Sequence, residues 1–134
     1  MRHIGITGSR DGLSGTQQVA VLWRLALIDP GTTWFHHGDC VGVDAQIHEM
    51  LTEHGHYNWI EVHPPSSPRF RAFCAANVIH AGKPYLKRDL DIVKASEEVW
   101  AFPSGSEEKQ PRSGTWATVR MARVHDRKLR VFDR

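Results

Sequence analysis

The sequence predicts a single α/β domain: a mainly parallel sheet of about five strands with helices on both faces, three layers in all. Two patterns lead there. Short β-rich apolar runs alternate with segments of helical periodicity, as crossovers between parallel strands require. In addition, three strand-to-helix junctions carry glycine beside small polar residues: Gly5-Ile6-Thr7-Gly8-Ser9-Arg10, Gly38-Asp39-Cys40-Val41-Gly42-Val43-Asp44 and Ser113-Gly114-Thr115. Parallel strands end on one edge, so these loops are expected to meet at one crevice, where helix amino-termini can hold a phosphate.

His3–Thr7 reads as a short buried strand and Gly8–Leu13 as the loop after it. Ser14 and Gln17 have capping-box spacing. They open a helix whose body, Gln17–Ile28, carries two apolar rows: Val19, Leu22, Ala26 and Val21, Leu25, Ile28. Asp29-Pro30-Gly31 stops it. Thr32–His37 is the second strand and Gly38–Gly42 a loop. Val43, Ile47, Met50 and Leu51 form the inner face of a second helix, with Gly55 near its end. Trp59–Val62 is a third strand.

Pro64, Pro65 and Pro68 exclude regular structure from His63 to Pro68, since proline breaks helices and removes sheet donors. Residues 69–84 show no clear period: Phe70, Phe73, Ala76 and Val78 fit a short helix or an irregular cover equally. Leu86–Ala95 is helical, with Leu90 and Val93 inward. Glu98–Phe102 is a fourth strand, Pro103–Arg112 a polar and mobile loop, Gly114–Val124 a helix and Leu129–Phe132 the last strand. With right-handed crossovers this is a Rossmann-like arrangement.

A chain of 134 residues fits one domain with a real core. Its 17 basic and 15 acidic residues leave a net charge of +2, too near neutral for non-specific nucleic-acid binding. Basic residues do gather late, from Arg112 to Arg134, as a solvated face or a phosphate-attracting rim. Cys40 and Cys74 lack the number and spacing of a disulfide framework. Met1-Arg2-His3-Ile4 enters a strand directly, and no apolar run approaches a bilayer's thickness. The expectation is a cytoplasmic protein with reduced thiols and no membrane partner.

Gly8 and Ser9 follow the first strand, where a glycine permits a tight turn and close approach of a ligand to backbone N–H groups. The run is neither a G-x-G-x-x-G fingerprint nor a Walker loop. Arg10 can clamp a phosphate or carboxylate, or simply lie on the surface beside the turn. Asp44 falls in the first turn of the second helix, where it either caps the helix or, like Asp39, reaches ribose hydroxyls. His36, His37, Asp39 and Cys40 look like a metal cluster. However, adjacent strand residues point to opposite faces and the spacing fits no zinc pattern, so no metal and no cofactor is expected. At the third junction Ser113 can cap the helix, Gly114 permits close approach and Thr115 offers a hydroxyl. Trp116 could cover a base or pack on the sheet.

Four stretches in order carry a resemblance: Gly5–Arg10, His37–Ala45, Pro84-Tyr85-Leu86-Lys87-Arg88-Asp89 and Arg112-Ser113-Gly114-Thr115-Trp116-Ala117-Thr118-Val119. Together they resemble the SLOG superfamily, a Rossmann-like group including the Smf/DprA proteins and the LOG phosphoribohydrolases, and in particular its small stand-alone YspA-like branch. The resemblance implies a nucleotide phosphate at Gly114 and Thr115. In LOG enzymes a Pro-Gly-Gly-x-Gly-Thr-x-x-Glu motif also supplies a catalytic glutamate, and here that position is Thr118. The arginine that works with that glutamate matches Arg88.

Three functions follow as expectations. The first is a sensor or carrier of a nucleotide or nucleotide-derived ligand, held by Gly8, Ser9, Arg10, Gly38, Gly42, Arg88, Ser113, Gly114, Thr115 and Trp116, with Asp39 or Asp44 on ribose. The second is a nucleotide phosphoribohydrolase with displaced catalytic residues, drawn from Arg88, Asp39, Asp44 and Asp89. The third is DprA-like single-stranded DNA binding, which the near-neutral charge opposes. The resemblance also implies a homodimer or higher homo-oligomer paired through helices near the site; Trp23, Trp116 and Met121 are candidate contacts, with core packing the more ordinary role of each.

Overall fold

The computed structural model describes residues 1–134. In chain order the elements are β1 (Arg2–Gly8), α1 (Gly15–Ala26), β2 (Thr33–His37), α2 (Val43–Glu53), β3 (Ile60–Val62), β4 (Val78–Ile79), α3 (Tyr85–Ala95), β5 (Glu98–Phe102), α4 (Gly114–Val124) and β6 (Lys128–Val131). The strands form one sheet in the order β4-β3-β2-β1-β5-β6. Every pairing is parallel, as the alternation of strands and helices requires. The molecule is therefore a Rossmann-like α/β domain.

The sheet has six strands rather than about five. The extra one, β4, is two residues long and lies in the segment without a legible period, where Val78 and Ile79 pair with Glu61 and Val62. Two residues cannot display alternation, so pairing to a neighbour decides this strand, not propensity. Trp59 lies outside β3, in a 3-10 turn (Tyr57–Trp59), and its ring meets Trp34 edge-on at 5.2 Å.

α1 begins at its cap. Ser14 Oγ accepts from Gln17 N–H at 3.1 Å, and Gln17 Oε1 accepts from Ser14 N–H at 3.0 Å, completing the capping box. The rest of Gln17 is fully buried, and its Nε2 donates to the carbonyls of Pro103 and Phe132 at 3.1 and 2.7 Å. One amide thus ties α1 to the chain leaving β5 and β6. The helix stops at Ala26, because Leu27 N–H turns back to the carbonyls of Arg24 and Leu25. Of the two apolar rows only that of Val21 and Leu25 is buried; Val19, Leu22 and Trp23 are exposed.

The larger core lies between the sheet and α1 with α2, where Ile4, Ile6, Phe35, Ile60, Val62, Trp100 and Phe102 meet Val21, Leu25, Val43, Ile47 and Leu51. On the opposite face α3 and α4 seal two smaller clusters, Val93–Val99–Ala122 and Ala101–Trp116–Val119. α3 comes close enough to β1 that a Cβ on Gly5 would lie 2.8 Å from Ser96 Oγ and 2.9 Å from Ile92 Cγ2. No helix is long and apolar enough to cross a membrane.

Candidate functional site

The strand order reverses between β1 and β5. After β1 the chain moves outward through β2, β3 and β4, then returns across the sheet to β5 and β6. Open α/β sheets hold ligands beyond the carboxyl ends of the strands at such a reversal. Here β1 and β5 end side by side, with Gly8 opposite Phe102. The ladder runs one step further, through Ser9 N–H to the Phe102 carbonyl at 3.2 Å.

The first two glycine junctions interlock beside this reversal. Val43 N–H donates to the Ser9 carbonyl at 3.0 Å. A Cβ on Gly8 would lie 2.3 Å from Val43 Cγ1, and one on Gly42 would lie 2.6 Å from the Arg10 backbone. Gly42 also has φ +93°, a left-handed conformation that favours glycine. These two glycines are set by chain packing, not by approach of a ligand. Gly114 differs, because a Cβ there would meet nothing within 4 Å.

Two adjoining chambers open at the reversal. The outer one, about 370 Å³, has no hydrophobic residue in its lining and is walled by Ser9, Arg10, Arg112, Ser113, Gly114 and Thr115. Ser113 Oγ accepts from Trp116 N–H at 3.1 Å and caps α4. The N–H groups of Gly114 and Thr115 make no hydrogen bond within the chain, and so remain available to an anion. The inner chamber, about 320 Å³, shares Gly8, Arg10, Gly114 and Thr115 with the outer one. It is lined further by Gly38, Cys40, Asp44, Arg88, Asp89 and the rings of Phe70 and Tyr85.

The inner chamber sets one buried cation, Arg88, against two buried carboxyl groups, with the exposed Arg10 also on its wall. Arg88 is buried, and its Nε donates to Asp89 Oδ1 at 2.6 Å. Its Nη1 donates to the carbonyls of Gly38 and, at 3.2 Å, His63. A side chain on Gly38 would collide with that guanidinium, its Cβ 2.5 Å from Nη1. Arg88 is therefore largely satisfied inside the protein. Asp44 is not. Its Oδ2 accepts from Cys40 N–H at 3.2 Å, while its Oδ1 is buried without a partner. Burial pushes its carboxyl up to about 7, against the pull of Arg88. Burial also raises Asp89, which Arg88 draws back down. Thr118 Oγ1 donates to the Gly114 carbonyl at 3.0 Å.

Gly8, Ser9, Arg10, Gly38, Asp44, Arg88, Ser113, Gly114 and Thr115 thus come together at one cleft. Gly42, Asp39 and Trp116 do not line it. Asp39 is fully buried with φ +56°, and its two oxygens accept from Arg71 Nε at 2.8 Å and Cys74 N–H at 2.9 Å. It fastens the 69–76 segment, and both its oxygens are already engaged within the protein. The ring of Trp116 packs with Ala101 and Val119, and its indole N–H donates to the Gly105 carbonyl at 3.0 Å. That burial also removes Trp116 as a contact for a second subunit.

Sequence reasoning missed Phe70, Tyr85 and Ile92. Phe70 sits in the segment without a period, 3.9 Å beneath the Arg10 guanidinium. Nothing local marks it; only the fold brings it to the cleft. His37 has a structural role. Asp39 N–H donates to His37 Nδ1 at 3.0 Å, so Nε2 carries the proton towards His48 Nδ1 at 2.9 Å, and His48 passes its own to the Ala75 carbonyl. Burial and then His48 hold His37 well below the ordinary histidine range, so it stays neutral.

No protein-family model matches the chain, and no curated protein is similar to it. Among solved structures it is similar to the X-ray structure of TM1055, a Northeast Structural Genomics Consortium target. The TM-score is 0.66 at 14% identity, covering 96% of this chain and 72% of that one. Similarity at that level establishes the fold alone.

Proposed function

We propose that the cleft binds a nucleoside phosphate. The observation that carries this reading is the amino-terminus of α4: two unpartnered N–H groups and an unobstructed Gly114 face a polar chamber that opens into a partly apolar one. A phosphate sits on Gly114 and Thr115, with Arg10 and Arg112 at the rim supplying charge. Sugar and base extend inward between Phe70 and Tyr85 towards Asp44. The resemblance to the SLOG superfamily supports the same assignment at Gly114 and Thr115. Purine and pyrimidine monophosphates should raise the melting temperature of the protein, and Gly114→Val should remove that rise while leaving the unliganded transition in place. An unchanged ligand shift in that variant would overturn the assignment.

One observation favours a second reading, hydrolysis of the N-glycosidic bond. In that reaction the sugar–base bond breaks, water oxygen joins the anomeric carbon and a proton goes to the base. Thr118 cannot supply the carboxyl group, but the buried, half-partnered Asp44 lies in the chamber and titrates near neutrality. Release of free base from a monophosphate, lost in Asp44→Asn, is the outcome this reading requires. Stabilisation without release leaves the protein a binder.

A further inference from the structure

Four histidines outside the cleft come together on the sheet face that carries α3. The register explains how. Gly5 of β1 pairs with His36 of β2, and His36 pairs with Glu61 of β3, so His36 and Glu61 stand side by side in one row. His3 projects on the same face two residues before Gly5, whose missing side chain leaves the space between them. His63 follows β3 and His80 follows β4. His3 Nδ1 and His36 Nε2 are 2.8 Å apart, His36 Nδ1 and His63 Nε2 are 3.0 Å apart, and Glu61 Oε2 is 3.7 Å from His36 Nε2.

We infer that His3 Nδ1, His36 Nε2 and Glu61 Oε2 form a binding site for a divalent transition metal ion such as zinc. Bonds of roughly 2.0–2.2 Å in a tetrahedron place neighbouring ligand atoms about 3.3 Å apart. The separations of 2.8 and 3.7 Å at His36 bracket that value, and all three ligand atoms lie within 4.8 Å of one another. The ion takes the place of the proton between the two imidazoles. The outer hydrogen bonds allow the required sense. With its proton on Nδ1, His36 donates to His63 and bares Nε2, while His80 Nε2 donates to Glu61 Oε1 at 2.8 Å and leaves Oε2 free. Three protein ligands leave one position for water, which reaches the site because His3 and Glu61 are only partly buried. Two imidazoles with one carboxylate favour zinc-like ions over calcium or magnesium.

Two neighbouring clusters do not fit an ion in this way. At His37, His48 and Cys74, the proton on His37 Nε2 is fixed by the Asp39 N–H on the other nitrogen, so an ion there would set two N–H groups against each other. At Glu61, His63 and His80, the two rings stack at 4.2 Å with planes 15° apart, and in-plane lone pairs of stacked rings cannot converge on one ion. The spacing of residues 3, 36 and 61 carries no sequence signal, since it exists only once three strands lie in register.

Titrating the chelator-treated full chain with Co2+ and Zn2+ tests the site. The expected result is one ion per chain, with tetrahedral Co2+ absorption in the visible and no thiolate charge-transfer band. His3→Ala and Glu61→Gln, both at partly exposed positions, should abolish that absorption. His80→Ala should weaken affinity by roughly 10- to 100-fold, as loss of an outer partner does, and Cys74→Ser should leave it unchanged. Absence of stoichiometric binding, or binding that survives His3→Ala, would overturn the inference. Loss in His80→Ala with retention in His3→Ala would move the ion to the stacked pair instead.

Discussion

Two aspartates that the sequence offers as equals are separated by their surroundings. Asp44 keeps one oxygen without a partner beside the cleft, whereas Asp39 spends both oxygens on Arg71 and Cys74. Asp39→Asn keeps the shape but loses the charge-assisted bond to Arg71, a change of about 1–3 kcal/mol. Chemical denaturation should therefore report lower stability for Asp39→Asn, with ligand affinity per folded molecule unchanged. Lost ligand binding at full stability would restore Asp39 to the site. Arg88 illustrates the same rule from the cationic side. An arginine whose Nε and Nη1 already serve Asp89, Gly38 and His63 shapes the chamber more than it grips an anion.

At the scale of elements, α4 combines a structural and a functional end. Ser113 satisfies the Trp116 N–H and so leaves Gly114 and Thr115 as the open donors. Ser113→Ala should cost about 1 kcal/mol of stability, read from the denaturation midpoint, and should weaken nucleotide binding by fraying the first turn. Stability equal to the native chain would mean that the cap is replaceable by water. The elements most legible in the sequence were those with long-period signals. The capping box at Ser14 and Gln17 and the buried row of α2 stand where periodicity and cap chemistry put them, whereas α1 stops at Ala26, ahead of Asp29-Pro30-Gly31, because Leu27 already turns back on the last turn. β4 and the position of Phe70 were not legible, because pairing and loop packing place them, and neither leaves a mark in neighbouring residues. Not every glycine of the three junctions serves a ligand as the sequence pattern suggests: Gly8 and Gly42 serve each other's loops, whereas Gly114 faces open space at the cleft.

Across the whole molecule, one buried carboxylate on the sheet edge opposite the cleft links three strands. Glu98 of β5 accepts from Arg130 Nε of β6 at 2.8 Å and from Arg2 of β1, joining three adjacent strands at their amino ends. Burial pushes Glu98 up, but its bonds to Arg130 and Arg2 more than offset this and hold it below the ordinary glutamate value. A folded-state pKa below the unfolded one stabilises above the unfolded value and fades as pH falls through the folded one. Glu98→Gln should therefore lower the melting temperature at pH 7, and the gap from the native chain should close as pH drops below about 4.3, the reference glutamate value. A gap that persisted at pH 3 would assign the clamp to packing instead of charge.

The interlocked loops after β1 and β2 have a mechanical consequence. Ser9, Arg10, Gly42 and Val43 make one rigid jaw, since neither loop can move without the other. The 103–112 segment is strapped instead to α4, through Trp116 to Gly105, Arg120 to Pro111 and the pairs of Glu107 with Arg120 and Arg123. No hydrogen bond joins residues 9–13 to residues 104–115. An occupant would bridge the tips of these halves, so amide exchange at Gly114 and Thr115 should slow on loading while that of Val43, already locked, stays as it was.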